Sequence, residues 1–395
     1  MSEILELVDK YKEIIFSERN LKNKELYSFI DKEENYWFRD MWRGIPKKNF
    51  RKVPLLIIPD NQIWHHILKI DLKSFYSDST EHLKQQLRMY IYKFENWEDN
   101  YYFDGKIYIW FNVMTEISFF GPKVRFFEYR EPWMEDSKPL INQKEKLDKL
   151  DFPDFHKSGL MPLIHKFYEE INEMLVGKLN VIFPNWARGP FCLAVHLRGL
   201  ENLLIDMIED QEFFHKLMRF IVDSQKKWID ERAKFLGIKK YPLGTLFNDE
   251  IGSPMISPKL YENLILPYEI ELAEYQGGIL YWHSCNNTTD FYQLINKIPN
   301  LKMMHVSPWA DLKEASNMFQ DKVAVEKCII PEQSILSADE NKMKEDINKI
   351  IQNSGKKLRY LIRVDAIEKV HDLSFDLDKL KTFVNIYNKI MESRC

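Results

Sequence analysis

Four cysteines, Cys192, Cys285, Cys328 and Cys395, with no short repeating spacing, are too few for a disulfide framework in 395 residues. Whatever chemistry they carry is thiol or metal chemistry. Glycine is also scarce, 13 in all, and no Gly-x-Gly-x-x-Gly or Walker-type loop follows any strand candidate, which argues against a nucleotide-binding open sheet. No apolar run approaches the roughly 20 residues that span a bilayer. The N-terminal MSEILELVDKYKEIIF is acidic and amphipathic where a secretory signal is basic and then apolar. A cytoplasmic protein without membrane contact is expected. Neither sign of charge dominates: 56 Lys+Arg against 60 Asp+Glu leave a net charge of -4, with no local basic patch to hold a polyanion. Nucleic acid is not an expected partner.

What is present is core material, at 45% hydrophobic and 14% aromatic with ten Trp. Aromatic rings carry the largest apolar area per side chain, so most are expected to fill the interior rather than a stacking surface for sugars or bases. Residues 1–50 read as a charged helical extension that ends in Tyr36-Trp37-Phe38 and the turn Gly44-Ile45-Pro46. The remainder, 51–395, reads as one domain. Short apolar runs at 53–59, 107–111, 181–183, 243–247, 279–282, 302–306, 323–325 and 359–363 have the pattern of strands buried on both faces. Helical periodicity fills 80–93, 161–176, 199–236, 258–276, 287–297, 311–319, 338–353 and 376–392. Ser257-Pro258 and Asp311-x-x-Glu314 are helix start signals. This alternation predicts an α/β fold, a (β/α)8 TIM barrel, with an open doubly wound sheet as the competing layout. The segment from Glu128 to Asp154 reads as a long loop that retains too many large apolar residues for disorder.

Chemistry in such a barrel sits on the C-terminal ends of its strands. Here those ends are polar: Asn248-Asp249-Glu250 after the fourth strand, His283-Ser284-Cys285 after the fifth, His305 in the sixth, Glu326-Lys327-Cys328 in the seventh, Arg363 and Asp365 in the eighth. His283 and Cys285 stand at i and i+2, where extended backbone turns both side chains the same way. With Cys328 and a carboxylate, Glu250 or its neighbour Asp249, they make a candidate zinc set of thiolate, imidazole and carboxylate. The competing account is a buried cysteine acting as a small hydrophobe and a histidine satisfied by a carbonyl. Asp249, Glu250, Arg188 and His196 are the candidate catalytic groups. Arg188 also offers a bidentate clamp for a carboxylate or phosphate. Asn185, Asn248, Trp282, His305 and Arg363 complete the polar strand ends and are expected to contact substrate. Cys192 lies in an apolar run and reads as core, Cys395 as a frayed terminus, and His65-His66 as exposed helix residues or rim acid–base groups.

Arg188-Gly189-Pro190-Phe191 through Gly199-Leu200-Glu201-Asn202-Leu203, then Asn248-Asp249-Glu250-Ile251-Gly252, His283-Ser284-Cys285, Ser307-Pro308-Trp309 and Ile330-Pro331 resemble, in that order, the uroporphyrinogen decarboxylase superfamily. The resemblance runs from about residue 50 to the end. It implies a (β/α)8 barrel and one of two activities, porphyrinogen decarboxylation or zinc-dependent methyl transfer that serves corrinoid proteins. The decarboxylases carry an Arg-x-Ala-Gly-Arg segment that holds the substrate carboxylates, whereas the nearest segment here is Met41-Trp42-Arg43-Gly44. The methyltransferase branch is the better match. Its thiol-methylating members place a last cysteine where this chain has Val364-Asp365-Ala366; members that demethylate methoxylated compounds use a carboxylate and two cysteines, which Glu250, Cys285 and Cys328 supply in order.

The resemblance therefore implies zinc as cofactor and a methyl group moved between a small methoxylated, methylamine or thiol substrate and a corrinoid. A corrinoid-binding loop of the Asp-x-His-x-x-Gly kind is not expected in the chain, so a separate corrinoid protein is the expected partner; a homodimer is allowed. The alternatives are a metal-free lyase using Asp249 or Glu250 with Arg188 on a carboxylated substrate, and a non-catalytic binding barrel.

Overall fold

Each of the eight apolar runs forms a parallel strand in a computed structural model, which describes residues 2–29, 44–48, 52–135, 138–239 and 243–394. The strands are β1 (Leu55–Pro59), β2 (Lys106–Tyr108), β3 (Asn180–Ile182), β4 (Gly244–Phe247), β5 (Ile279–His283), β6 (Met303–Val306), β7 (Ala324–Ile329) and β8 (Tyr360–Ile367). The central ones are buried on both faces, which is why they are continuous apolar runs rather than alternating ones. Behind them lie the helices α1 (Ser79–Asn96), α2 (Met161–Leu175), α3 (Gln211–Leu236), α4 (Leu266–Gln276), α5 (Tyr292–Ile295), α6 (Leu312–Phe319), α7 (Glu340–Ser354) and α8 (Leu373–Glu392). From β1 onward these strands and helices alternate among the described residues, the order of a (β/α)8 barrel.

Six strands form one ladder in the order β1-β8-β7-β6-β5-β4, and β2 pairs with β3 separately. Two seams join the ladders. At β3/β4 the chain beyond β3 pairs with Phe247, whose N–H donates to Ala187 O at 2.9 Å and whose carbonyl accepts from Gly189 N at 2.9 Å. At β1/β2 residues just upstream of β2 take the place of a ladder: Asn100 N donates to Leu55 O at 2.8 Å, Asp99 Oδ2 accepts from Ile57 N at 2.9 Å, and Lys93 Nζ donates to Ile57 O at 2.7 Å. The strand edge is thereby satisfied without a continuous sheet.

Local departures from the expected helices have identifiable causes. The expected 199–236 helix is split in two, Leu200–Glu209 and α3, because the side chain of Asp210 caps the second by accepting from Phe213 N. Gly199, at φ 85, separates the first from the preceding helix Pro190–Arg198, a conformation that favours glycine. In the expected 258–276 helix, Tyr261–Ile265 widens by a residue before Leu266 and Pro267, where proline removes a donor from the ladder. Asp311 caps α6 as its sequence predicts, accepting from Lys313 N at 2.7 Å and Glu314 N at 3.1 Å.

The N-terminal helix Ser2–Phe16 packs on α1 through buried Ile4, Val8, Tyr11 and Ile14, with Tyr11 stacked on Tyr90 at 5.1 Å. Tyr36-Trp37-Phe38, Met41-Trp42-Arg43 and Cys395 lie outside the described residues. The long loop carries a short antiparallel pair, Val124–Arg125 with Trp133–Met134, and the tight turn Lys144–Lys149. It is tied down: Arg198 Nη1 donates to Ile141 O at 2.9 Å, and Lys144 Nζ pairs with Asp206 at 3.0 Å and Asp210 at 2.6 Å. Among the described residues no helix is long and apolar enough to cross a membrane.

Candidate functional site

The ends of β4 and β5 are lashed together before any functional group is placed. Phe247 stands opposite His283 in the ladder, and Asn248 N donates to His283 O at 2.8 Å. Beyond them Ser284 Oγ donates to Ile251 O at 2.5 Å and Asn286 Nδ2 to Asp249 O at 2.5 Å. The result is a closed triangle of donor atoms. Asp249 Oδ1 lies 3.1 Å from His283 Nε2, His283 Nε2 lies 3.2 Å from Cys285 Sγ, and Cys285 Sγ lies 3.5 Å from Asp249 Oδ1.

Arg188 stands against this triangle. Its Nη1 meets Asp249 Oδ2 at 2.6 Å and Cys192 Sγ at 3.2 Å. The backbone that carries it is held by Glu116 Oε1, which accepts from Ala187 N at 2.6 Å and Arg188 N at 3.3 Å. On its other side Cys192, His196 and Glu250 form a second cluster with ligand atoms all within 4.8 Å of one another. Trp133, from the loop pair, lies edge-on to His196 at 6.3 Å.

Electrostatics divide the two clusters. Burial works against the Asp249 anion, but Arg188 and His283 overcome it and hold the carboxyl well below its ordinary range. Desolvation, and then the Asp249 charge, push the Cys285 thiol up, although the residue as a whole is exposed. In the second cluster burial and the neighbouring Asp249 raise Glu250 to about 7, while burial and Arg188 lower His196 to about 4. Near pH 7 His196 is therefore neutral, and its approach to Glu250 at 3.7 Å is not an ion pair, whereas Glu250 itself is partly ionised there. Among the described residues, Glu250 Oε2 is buried with no hydrogen-bond partner.

The residues present fit a zinc ion at the first cluster. Tetrahedral bonds of about 2.0–2.3 Å place neighbouring donor atoms roughly 3.3–3.7 Å apart. The observed separations of 3.1, 3.2 and 3.5 Å fall within a few tenths of that. The set also mixes one carboxylate, one imidazole and one thiol, the donors zinc takes.

The chain matches the model of the family described as uroporphyrinogen decarboxylase (URO-D) over residues 99–365. It belongs to the URO-D family. Among solved structures it is similar to a methyltransferase from Methanosarcina mazei, with a TM-score of 0.62 at 11% identity over 86% of this chain and 94% of that one. At that identity the likeness is one of fold. No curated protein matches it by sequence.

On this URO-D scaffold the residues expected at the site fall into three places. Asp249, His283 and Cys285 meet in the first cluster, with Arg188 against it; Glu250 and His196 meet in the second. The carboxylate beside His283 and Cys285 is thus Asp249, and Glu250 turns the other way, toward Cys192. Cys328 belongs to neither cluster: it is buried on β7 opposite Arg363. Cys192 is buried, as its apolar run implies, yet its sulphur also faces Arg188.

The remaining polar strand ends form a layer beneath. Asn248 gives its amide to Glu269 Oε1 at 2.8 Å, and Trp282 Nε1 donates to Glu269 Oε2 at 3.0 Å. Tyr261 supplies the third donor at 2.6 Å. His305 Nδ1 and Arg363 Nη1 meet Glu326 Oε1 at 3.0 and 2.8 Å, and Arg363 also pairs with Asp365. Burial opposes the Glu326 anion, and Arg363 with His305 hold it down at about 2. Asn185 is buried just beyond β3. His65, on the helix Asn61–Leu68, is taken by Ile70 O at 2.8 Å.

Sequence reasoning passed over Glu116, Tyr281 and Glu269. Glu116 follows β2 by a few residues, so its place after a strand was a usable signal; Tyr281 and Glu269 sit in apolar surroundings that disguise them. It also passed over Asp154-Phe155-His156-Lys157-Ser158-Gly159, which does have the Asp-x-His-x-x-Gly spacing. The structure makes this a turn: Asp154 Oδ1 accepts from the backbone N–H of His156 at 2.8 Å and of Lys157 at 3.1 Å, and His156 packs on Phe155, His165 and Phe235.

Proposed function

We propose that this URO-D family chain is a methyltransferase that holds zinc at Asp249, His283 and Cys285 and moves a methyl group between a small substrate and a corrinoid carried by a partner protein. The substrate class is a methoxylated compound, a methylamine or a thiol. The observation that carries the proposal is the closed oxygen–nitrogen–sulphur triangle at the ends of two adjacent strands, near tetrahedral spacing. Zinc at such a centre acts as a Lewis acid toward the heteroatom that bears the methyl group.

The chain's own residues have distinct tasks in this account. Arg188 keeps Asp249 ionised and fixes one of its oxygens, leaving the other turned toward His283. Glu250, raised to about 7 by burial and Asp249, can hold or release a proton at working pH, which suits a general acid for a departing oxygen, nitrogen or sulphur. His196 stands 3.7 Å from it, with Trp133 edge-on to the imidazole.

Arg188 also weighs against the metal-free lyase reading, because its guanidinium is engaged by Asp249 rather than open to a substrate carboxylate. The test is methyl transfer itself. Zinc-loaded chain, a corrinoid protein with cobalt in its reduced state and a panel of methoxylated aromatics, methylamines and methyl thioethers should give methylcobalamin absorbance with one substrate class. Carbon dioxide release from a carboxylated substrate by the metal-free chain would favour the lyase.

A further inference from the structure

A second group of metal-ligand side chains lies across Arg188 from the donor triangle. Cys192 and His196 stand four residues apart on the helix Pro190–Arg198, the spacing that puts two side chains on one helix face. Glu250 meets them from the turn after β4, and one ligand atom from each of the three lies within 4.8 Å of the others. Two ligands one helical turn apart are how a helix presents a divalent metal site, here with the third ligand supplied by a facing turn. Thiol, imidazole and carboxylate are donors that suit zinc or cobalt.

The contacts within this group are incomplete. His196 Nε2 lies 3.7 Å from Glu250 Oε1, too far for a hydrogen bond but at the spacing of two donors on one tetrahedral ion. Among the described residues Glu250 Oε2 is buried without a hydrogen-bond partner, and a buried polar atom in that state calls for a water or an ion. Cys192 is wholly buried, whereas the side chains of His196 and Glu250 keep 17% and 16% of their exposure, which leaves an ion a way in. The group is less closely drawn together than the triangle, so its side chains must close on an ion. Arg188 Nη1, 3.2 Å from Cys192 Sγ, and an ion in the triangle would both oppose a second dication.

We infer that Cys192, His196 and Glu250 form a second, weaker site for a divalent transition metal, filled when metal exceeds one equivalent per chain. The site stands on its own geometry; its consequence for catalysis rests on the role proposed above for Glu250. An ion held on that carboxylate takes it out of the reaction, so excess zinc should slow methyl transfer.

The experiment titrates cobalt(II) into the full chain as purified without chelator. Thiolate ligands select zinc, and zinc content measured alongside checks that the first ion stays in place. Equilibrium dialysis should find one cobalt per chain, and a thiolate-to-cobalt charge-transfer band should appear in the near ultraviolet. The band should persist in Cys285→Ala and vanish in Cys192→Ala. His196→Gln, at a partly exposed position, is the second variant where Cys192→Ala does not fold. It should weaken cobalt by at least the roughly 10-fold that loss of an outer hydrogen-bond partner costs a metal site, with the zinc retained. No cobalt uptake beyond the zinc, or a charge-transfer band that survives Cys192→Ala, overturns the inference. If the purified chain holds no zinc, a band that depends on Cys192 and not on Cys285 supports this site while the triangle fails as a zinc centre. Cobalt bound through Cys192 without inhibition by excess zinc supports the site and contradicts the role proposed for Glu250.

Discussion

Arg188 Nη1 lies 2.6 Å from Asp249 Oδ2, and this buried guanidinium is the cation that keeps the site's central carboxylate charged. Removing one partner of such a pair leaves the other uncompensated, at a cost of about 3 kcal/mol or more when burial is deep. Arg188→Met is expected to lower stability by about that amount, and Asp249→Asn, whose side chain is partly open to solvent, by less. The double variant should recover part of the loss. A denaturant-melt double-mutant cycle with a coupling of about 1–3 kcal/mol is the expected result; additive effects would show that the pair is incidental.

Gly189 is constrained by space rather than by backbone conformation, since its φ of -68 suits any residue. A Cβ there would stand 1.9 Å from Asn248 Oδ1 and 2.8 Å from Asn248 Cγ. Asn248 is wholly buried and bonded to Glu269, so it has little room to retreat. Gly189→Ala should destabilise by about 1–3 kcal/mol and shift the adjoining Arg188 and Asp249. A variant with wild-type Tm and wild-type zinc affinity would contradict this packing.

Glu269 gives the stability a specific pH dependence. Burial without a facing cation raises its carboxyl to about 7, despite donors from Tyr261, Trp282 and Asn248. Its folded-state value lies above the unfolded one, so its contribution is fully present below about pH 4.5 and is lost as pH rises through 7. The stability difference between wild type and Glu269→Gln should therefore move against wild type across that window, by about 3 kcal/mol in total. Taking the difference removes the opposing effects of His196 and His305, both lowered to about 4. Chemical denaturation at pH 4.5, 6 and 8 reads it; a constant difference would show that Glu269 titrates as an ordinary carboxylate.

The barrel was legible in the sequence because its central strands are buried on both faces, so that runs such as Ile279–Trp282 stand out as apolar blocks. His283 and Cys285 were legible as a pair at i and i+2, although β5 ends at His283 and it is the bend after it, tied by Ser284 to Ile251 O, that carries Cys285. The choice between Asp249 and Glu250 was not. They are neighbours in a turn closed by Ile251 N donating to Asn248 O at 2.9 Å, and that turn, rather than any strand periodicity, sends Asp249 to His283 and Glu250 to Cys192. Cys192 was hidden by its apolar run, since only the return of the chain at Gly189–Pro190 brings its sulphur to Arg188. Cys328 shows the converse: its strand-end position is real, but the ladder places it opposite Arg363, outside the triangle.

The metal content of the chain purified without chelator, and of its single variants, tests the central claim most directly. The account predicts one zinc per chain in wild type, retained in Cys192→Ala and Cys328→Ala and lost in His283→Ala and Cys285→Ala. Stoichiometric zinc that survives both His283→Ala and Cys285→Ala, or that disappears only with Cys192→Ala, would contradict it.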